Sequence, residues 1–472
     1  MNNLINLSYR SDIQVIIKDE TEFVVSNGVI SRSFSNLSSG MMEAFNMLQH
    51  ENGIPENTML DLVIDKCGFE SLMSFTYILK TIEDLGFICY QLALNENLKV
   101  TLVPLTAHFN FIKFKPKDEA TFKLSKFTLI RFVEDHFEFE SPLGYAKIQF
   151  TNPAIAPLIL ALYQPFTINS FSNQFPDYQP DILKNLVDFL FQLKCLEEIN
   201  EEGKISEEDL EKPLAYWEFH DLYYHTRSRM GRHNNAYGGT FPFGNKAKIP
   251  SPFKEIESEN RINLSIPDIE KLRLEDISLT TAIEDRSSIR NHSEKIITAE
   301  QLGHFLYRTA RINRTRDEHG YTLIQKPYPS GGGLYELEVY TVVNKCEGMG
   351  KGLYYYDPKN HQLCLIKQED ANVDLMVSLA KQTVDSVSEP QLVLLITSRF
   401  QRLSHKYRAV TYSLILKHVG VLYQTMYLVA KSMGLAPCGM GGSESDLFAS
   451  ATGIDYLEES QVGEFSLGNA QI

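Results

Sequence analysis

The sequence predicts an α+β chain in two unlike halves: hairpins and helices in a repeated order up to residue 212, then a strand-rich segment enclosed by long helices. Three observations carry this expectation. The hairpin-then-helix order recurs with a period of about 110 residues. Acidic charge is concentrated in the first half, with 17 basic against 30 acidic residues over 1–212 and 28 against 30 over 213–472. Three consecutive glycines, Gly331 to Gly333, stand just before the alternating run Leu337, Val339, Thr341, Val343. Bare backbone there can approach something flat or anionic, because no Cβ intervenes.

At 472 residues the chain is too long for one hydrophobic core and implies about two to four domains. With 43% hydrophobic and 22% charged residues it reads as ordinary globular protein. The most apolar run, 419–430, is interrupted by Gln424 and is too short to cross a bilayer. The start, Met1-Asn2-Asn3-Leu4, lacks a signal-peptide profile, so a cytoplasmic location without membrane attachment is expected. The six cysteines have no C-x-x-C spacing and sit mostly in apolar runs, which predicts neither disulfides nor zinc. Cys438, beside a glycine-rich segment, is read as a packing residue rather than a redox centre.

In chain order, the first copy of the repeat has a hairpin at 23–30, a helix at 41–48, a helix at 72–85 stopping at Gly86, and a short strand at 87–92. The second has a hairpin at 137–150 around Pro142-Leu143-Gly144, helices at 154–162 and 181–195, and a strand-like piece before the turn Glu202-Gly203-Lys204. Helices on a small sheet in this order predict tandem winged-helix-like domains, 1–105 and 106–212. Their acidity argues against nucleic acid as a partner. An exposed sheet edge can instead take an extended peptide as an added strand, which makes 106–212 the peptide-recognition candidate. A scaffold that only aids dimerisation is the alternative.

Residues 197–212 carry six acidic side chains between Glu201 and Glu211 and end at Pro213, a solvated boundary. The aromatic stretch 216–225, with the only tryptophan, Trp217, reads as a helix between domains. His220 and His225 are five apart, off the helical i, i+4 pairing, so no metal site is expected. Residues 236–265, rich in Gly, Pro and Asn, read as an extended connection, and 213–275 as a linker.

The remaining domain, 276–472, holds the chemistry-bearing segments. Arg286-Ser287-Ser288-Ile289-Arg290 sets two guanidiniums four residues apart, on one face if the segment is helical, where they can fork onto phosphate oxygens. A helix at 298–307 is followed by a polar loop with Arg308, Arg311, Arg314 and Arg316. A strand at 337–343 pairs with 352–356 and, across the turn at 357–360, with 363–366, while 391–397 forms a buried strand. Residues 399–408 gather cations at the mouth of a long helix. Lys406, crowded by Arg402 and Arg408 and desolvated in a site, would have its amine pulled down toward a useful base; a plain charged helix entrance is the alternative. The segment 434–443 reads as a second glycine-rich loop offering N–H groups from Gly439, Met440, Gly441 and Gly442.

R-S-S-I-R at 286–290, Y-P-S-G-G-G-L-Y at 328–335, H-K-Y-R at 405–408 and G-L-A-P-C-G-M-G-G at 434–442 together resemble the nitroreductase-like flavoproteins. More narrowly they resemble the azoline-oxidising SagB-type dehydrogenases that include cyanobactin oxidases. The resemblance implies a nitroreductase-like fold and FMN, held by Arg286, Ser287, Ser288, Arg290, Pro329, Ser330, Gly331, Gly332 and the 439–442 segment. It also implies Lys406 and Tyr407 as the catalytic pair. It further implies an azoline-containing precursor peptide as substrate, leader recognition by the amino-terminal domains, a homodimer, and a cyclodehydratase as candidate partner. The chain departs from many nitroreductases in ending without a phosphate-binding arginine. No G-x-G-x-x-G turn is present, which favours FMN over FAD. Two other readings stay open: an NAD(P)H-dependent nitro or flavin reductase, and a non-catalytic peptide-binding scaffold.

Overall fold

The first hairpin forms because its turn is chemically specified. Strands Phe23–Ser26 and Ser31–Phe34 pair antiparallel, and the Asn27 side chain between them accepts from the N–H groups of Val29 and Ile30 at 3.0 and 2.8 Å. Gly28 supplies the left-handed residue at φ 82°. In the computed structural model, which describes residues 4–114, 119–318, 321–442 and 444–471, this hairpin belongs to the first of two compact units, Met1–Ala236 and Tyr237–Ile472. Met1 to Asn3 and Ser443 lie outside the described residues.

Helices Ser39–Met47 and Leu72–Asp84 of the first unit match the expected pair, the first capped by Ser38, whose side chain accepts from Met41 N–H. A third helix, Glu56–Cys67, lies between them. In the second copy, helices Ala156–Leu160 and Pro180–Gln192 flank an unforeseen helix, Ile168–Gln174, closed by a capping box from Thr167.

The copies share one body. Strand Leu98–Pro104 of the first pairs antiparallel with Ala146–Phe150 of the second, giving a single seven-stranded sheet that runs from Ile54–Pro55 at one edge to Leu129–Val133 at the other. One buried cluster extends from Ile5 to Leu196. The aromatic helix, Phe219–Arg227, belongs to this unit too. Its Arg227 guanidinium grips the buried Glu140 carboxylate at 2.6 Å, and Tyr223 donates to the same group at 3.1 Å. His220 is exposed and His225 packs on Trp217. The acidic stretch is not wholly solvated: Glu207 is buried and accepts from Ser125 Oγ and Lys126 N–H at 2.5 and 2.6 Å.

In the second unit seven antiparallel strands run in the spatial order Arg261–Asn263, Gln362–Gln368, Gly352–Asp357, Leu337–Val343, Leu392–Arg399, Glu459–Asn469, Leu435–Met440. Strand Leu337–Val343 lies at the centre with all seven residues buried, because both sheet faces are covered and its apparent alternation separates two cores, not core from solvent. The long helix Thr411–Ser432 covers one face, and Ala371–Val384 with Ser445–Thr452 covers the other. The arginine-rich loop is in fact a hairpin, Arg314–Glu318 with Tyr321–Gln325. No helix among the described residues is long and apolar enough to cross a membrane, and the six cysteines are free.

Candidate active site

The glycine turn and the Lys-Tyr pair meet. Gly331–Gly333 makes one tight turn in which Gly332 takes φ 64° and Gly333 φ 69°. A Cβ on Gly332 would lie 2.6 Å from Lys406 Nζ and 2.7 Å from the Tyr407 hydroxyl, so any side chain there would push both groups aside, and the positive φ itself favours glycine. Lys406 and Tyr407 sit between the short helix Phe400–Ser404 and the long helix Thr411–Ser432, half-buried, with both N–H groups bonded to Leu403 O. Burial raises the Tyr407 hydroxyl above its ordinary value, and nearby Tyr237 adds to the shift. Gly239 packs on the Lys406 stem, and Phe241 donates its N–H to Lys406 O at 3.1 Å, so residues 237–241 form one wall of the site.

Arg402 does not crowd the lysine as expected. Its buried guanidinium is spent on the carbonyls of Leu334 and Pro250, which anchors the chain just after the glycine turn. Burial, followed by the neighbouring Arg399, lowers it to about 10.

A second cluster forms at the strand edge. Residues 286–290 form no helix; the segment is irregular, and Ile289 N–H bonds Pro437 O at 2.8 Å, which ties it to strand Leu435–Met440. The expected glycine-rich loop is thus largely a strand, paired with Glu459–Asn469; only Gly441 and Gly442 of its four candidates lie beyond it. Tyr427 ties the pieces together. Its hydroxyl meets Ser288 Oγ at 2.8 Å and accepts from Gly439 N–H at 2.7 Å, while the Arg286 guanidinium lies 5.2 Å from its ring centre. One turn earlier, the Tyr423 hydroxyl donates to Met440 O at 3.0 Å and accepts from Glu464 N–H at 2.6 Å. Cys438 sits beside Arg290 and Ser288, yet burial raises its thiol, which suits packing rather than redox chemistry.

These donors fit an anionic, flat group. Arg286 and Arg290 have no acidic partner among the described residues, and Ser287 is exposed. By contrast, Gly331 N–H is bonded to His418 and Gly439 N–H to Tyr427, so neither is a free donor. Gly332, Gly441 and Gly442 show no N–H partner among the described residues. Pro329 is exposed, and Ser330 Oγ accepts from Tyr335 N–H at 3.0 Å. The first cluster thus gathers Ser330, Gly331, Gly332, Lys406 and Tyr407, and the second gathers Arg286, Ser288, Arg290, Gly439 and Met440. Sequence reasoning missed His418, Glu336, Tyr423 and Tyr427. Only the i, i+4 tyrosine pair left a readable trace.

Three family models match successive parts of the chain. Residues 1–113 match a helix-turn-helix domain of cyanobactin oxidases, 122–234 match the cyanobactin oxidase family, and 283–469 match the nitroreductase family. The chain is similar to cyanobactin oxidases over its first unit and has a nitroreductase-family fold over residues 283–469. This oxidase-like chain is 29% identical over 180 residues to a nitroreductase-family protein of Methanocaldococcus jannaschii (MJ1384), a match covering 38% of the chain and 84% of the relative. It is 28% identical over 136 residues to the microcin B17-processing protein McbC of Escherichia coli, covering 28% of the chain and 50% of the relative. A solved nitroreductase-type structure from Anabaena variabilis is similar at 23% identity and a TM-score of 0.37, over 52% of this chain and 45% of that one.

One buried acid in this oxidase-like domain gives a stability signature. Burial raises the Glu464 carboxyl to about 7, against a hydrogen bond from Gln461 and reinforced by Glu444. Because the folded value lies above the unfolded one, its contribution is full below the ordinary value of 4.5 and is lost as pH rises toward 7. Glu464→Gln should therefore gain about 2–3 kcal/mol relative to the parent between those limits. Urea titrations of both proteins at pH 5 and pH 8 measure this; an equal difference at both pH values would remove the assignment.

Proposed function

We propose that the protein is an FMN-dependent azoline oxidase that converts thiazoline or oxazoline rings of a ribosomally made peptide to thiazole or oxazole. The observation that carries this reading is the close approach of Lys406 Nζ and the Tyr407 hydroxyl to Gly332: an amine and a phenol set together over bare backbone. The azoline proton next to the carbonyl is the acidic one, and the Lys406 amine accepts it. Tyr407 donates a hydrogen bond that orients the ring. Arg286, Arg290, Ser287 and Ser288 hold the FMN phosphate, with Gly332, Gly441 and Gly442 offering backbone donors to the cofactor. Bound FMN supplies the hydride acceptor at its N5. The names of two relatives, a cyanobactin oxidase family and a microcin-processing protein, support a peptide substrate.

The test is to mix the purified yellow protein with a synthetic thiazoline peptide in air and follow loss of a dihydrogen mass. Absence of conversion, together with rapid bleaching of the flavin by NADPH, would favour a nitro or flavin reductase instead. A colourless protein that still binds the peptide would favour a scaffold. Arg286→Ala should purify paler than the parent, with flavin retention falling about tenfold or more as a charge-assisted phosphate contact is lost; the absorbance ratio of flavin to protein reads it directly.

The amino-terminal unit is proposed to hold the precursor leader. Its outer strand Leu129–Val133 pairs on one side only and exposes Ile130 and Phe132, which suits strand addition. Deleting residues 1–236 should raise KM for leader-bearing substrate while a short azoline peptide reacts at an unchanged rate. Equal loss of both activities in a flavin-loaded deletion would contradict leader binding. A homodimer is proposed as well, supported by Tyr412, Leu416 and Val421 exposed along the long helix, and a cyclodehydratase remains the candidate upstream partner.

A further inference from the structure

Beneath the glycine turn lies a buried acid and imidazole that the proposed proton transfer does not use. Glu336 is 0% exposed and His418 7%. Burying such groups costs free energy unless every polar atom is matched, and a matched buried pair rarely stabilises more than apolar residues of the same shape. Their arrangement is therefore informative. Gly331 N–H points at His418 Nε2 at 2.8 Å, and a backbone N–H can only donate, so that nitrogen carries the lone pair. The ring proton then sits on Nδ1 and is donated to Glu336 Oε1 at 2.6 Å. The other carboxylate oxygen of Glu336 accepts from the Ser330 hydroxyl at 3.2 Å, and Ser330 Oγ in turn accepts from Tyr335 N–H at 3.0 Å.

One carboxylate thus holds both flanks of the turn, through His418 to Gly331 and through Ser330 to Tyr335. Tyr335 needs the hold: it is a bulky residue at φ 46°, a conformation that persists only when its surroundings impose it. Glu336 is itself fixed, since its carbonyl accepts from Arg399 N–H at 3.0 Å and the next residue begins the central buried strand. The residue suspended between the two anchors is Gly332, which touches Lys406 and Tyr407.

We propose that Glu336 and His418 are positioning residues that set the height of the Gly331–Gly332 backbone under Lys406 and Tyr407. A cationic His418 would carry a proton on Nε2 facing the Gly331 N–H, so the neutral ring tautomer is part of the device. For its effect on turnover the proposal rests on the azoline-oxidase reading; for its effect on the turn it stands alone. Displacing a reacting group by about 1 Å costs on the order of 100-fold in rate, so a small shift of this turn suffices.

The test pairs an activity readout with a backbone one. In the full-length holoenzyme, His418→Ala should speed amide exchange in the peptide spanning 328–336 and lower kcat about 10- to 100-fold, with KM for a thiazoline peptide changed little. His418→Gln, whose side-chain carbonyl can reach for the Gly331 N–H, should recover part of both, and Glu336→Gln should lose exchange protection at both flanks. Should the alanine variant fail to fold, the two glutamine variants decide by the same exchange measurement. Parent-like exchange and kcat in His418→Ala, or in Glu336→Gln, would overturn the proposal. Exchange that changes as expected in a protein that never oxidises azolines would leave the positioning pair standing and discard the reaction.

Discussion

Lys406→Ala should lose about 10²- to 10⁴-fold in azoline oxidation, the usual worth of a positioned base, while purifying as yellow as the parent. The colour is expected to persist because the lysine contacts Gly332, Gly239 and Phe241, whereas the arginines assigned to phosphate lie in the other cluster, around Tyr427. Single-turnover kinetics with a thiazoline peptide, alongside a flavin absorbance ratio, separate the two effects. Parent-like turnover in a flavin-loaded variant would remove Lys406 from the chemistry. Tyr407→Phe keeps the ring and removes only the hydroxyl, so it gauges the phenol's share.

The second large effect is expected at a residue without a side chain. Gly332→Ala places a methyl 2.6 Å from Lys406 Nζ and 2.7 Å from the Tyr407 hydroxyl, so both groups must move, and φ 64° adds about 1–2 kcal/mol of backbone strain. Turnover should fall about 100-fold. Its control is the next residue. Gly333→Ala meets comparable strain at φ 69°, but nothing lies within 4 Å of the added carbon. The Gly333 variant should lose stability without a matching loss of rate. Thermal melts and kcat on both proteins check this, and equal rate losses would mean that strain, rather than the clash with the lysine and tyrosine, is responsible.

The contrast between what could and could not be read from the chain follows from distance along it. The triple glycine and the Lys-Tyr pair were legible because each is local, and strands such as Leu337–Val343 and Gly352–Asp357 announced themselves by β-branched and aromatic residues. A four-residue spacing of arginines at 286–290 fits a helix, whereas the segment is irregular and is held by a bond from Ile289 to Pro437 across the fold. Glycine-rich 434–442 looked like a loop for the same reason: its pairing with Glu459–Asn469 is invisible locally. Glu336 and His418 left no signal at all. An acid before a strand and a histidine in an apolar helix are ordinary, and only their meeting across 82 residues gives them a role. Helix Glu56–Cys67 was missed because Ile54-Pro55-Glu56-Asn57 has the composition of a turn, and its N-cap residue is a proline that makes no side-chain bond.

The pairing of Leu98–Pro104 with Ala146–Phe150 makes the amino-terminal unit a single cooperative object despite its repetitive plan. A fragment ending near residue 105 would leave the outward side of Leu98–Pro104 without its neighbour, a ready template for cross-chain β-association. Such fragments should precipitate, whereas the unit ending at Ala236 should melt in one calorimetric transition.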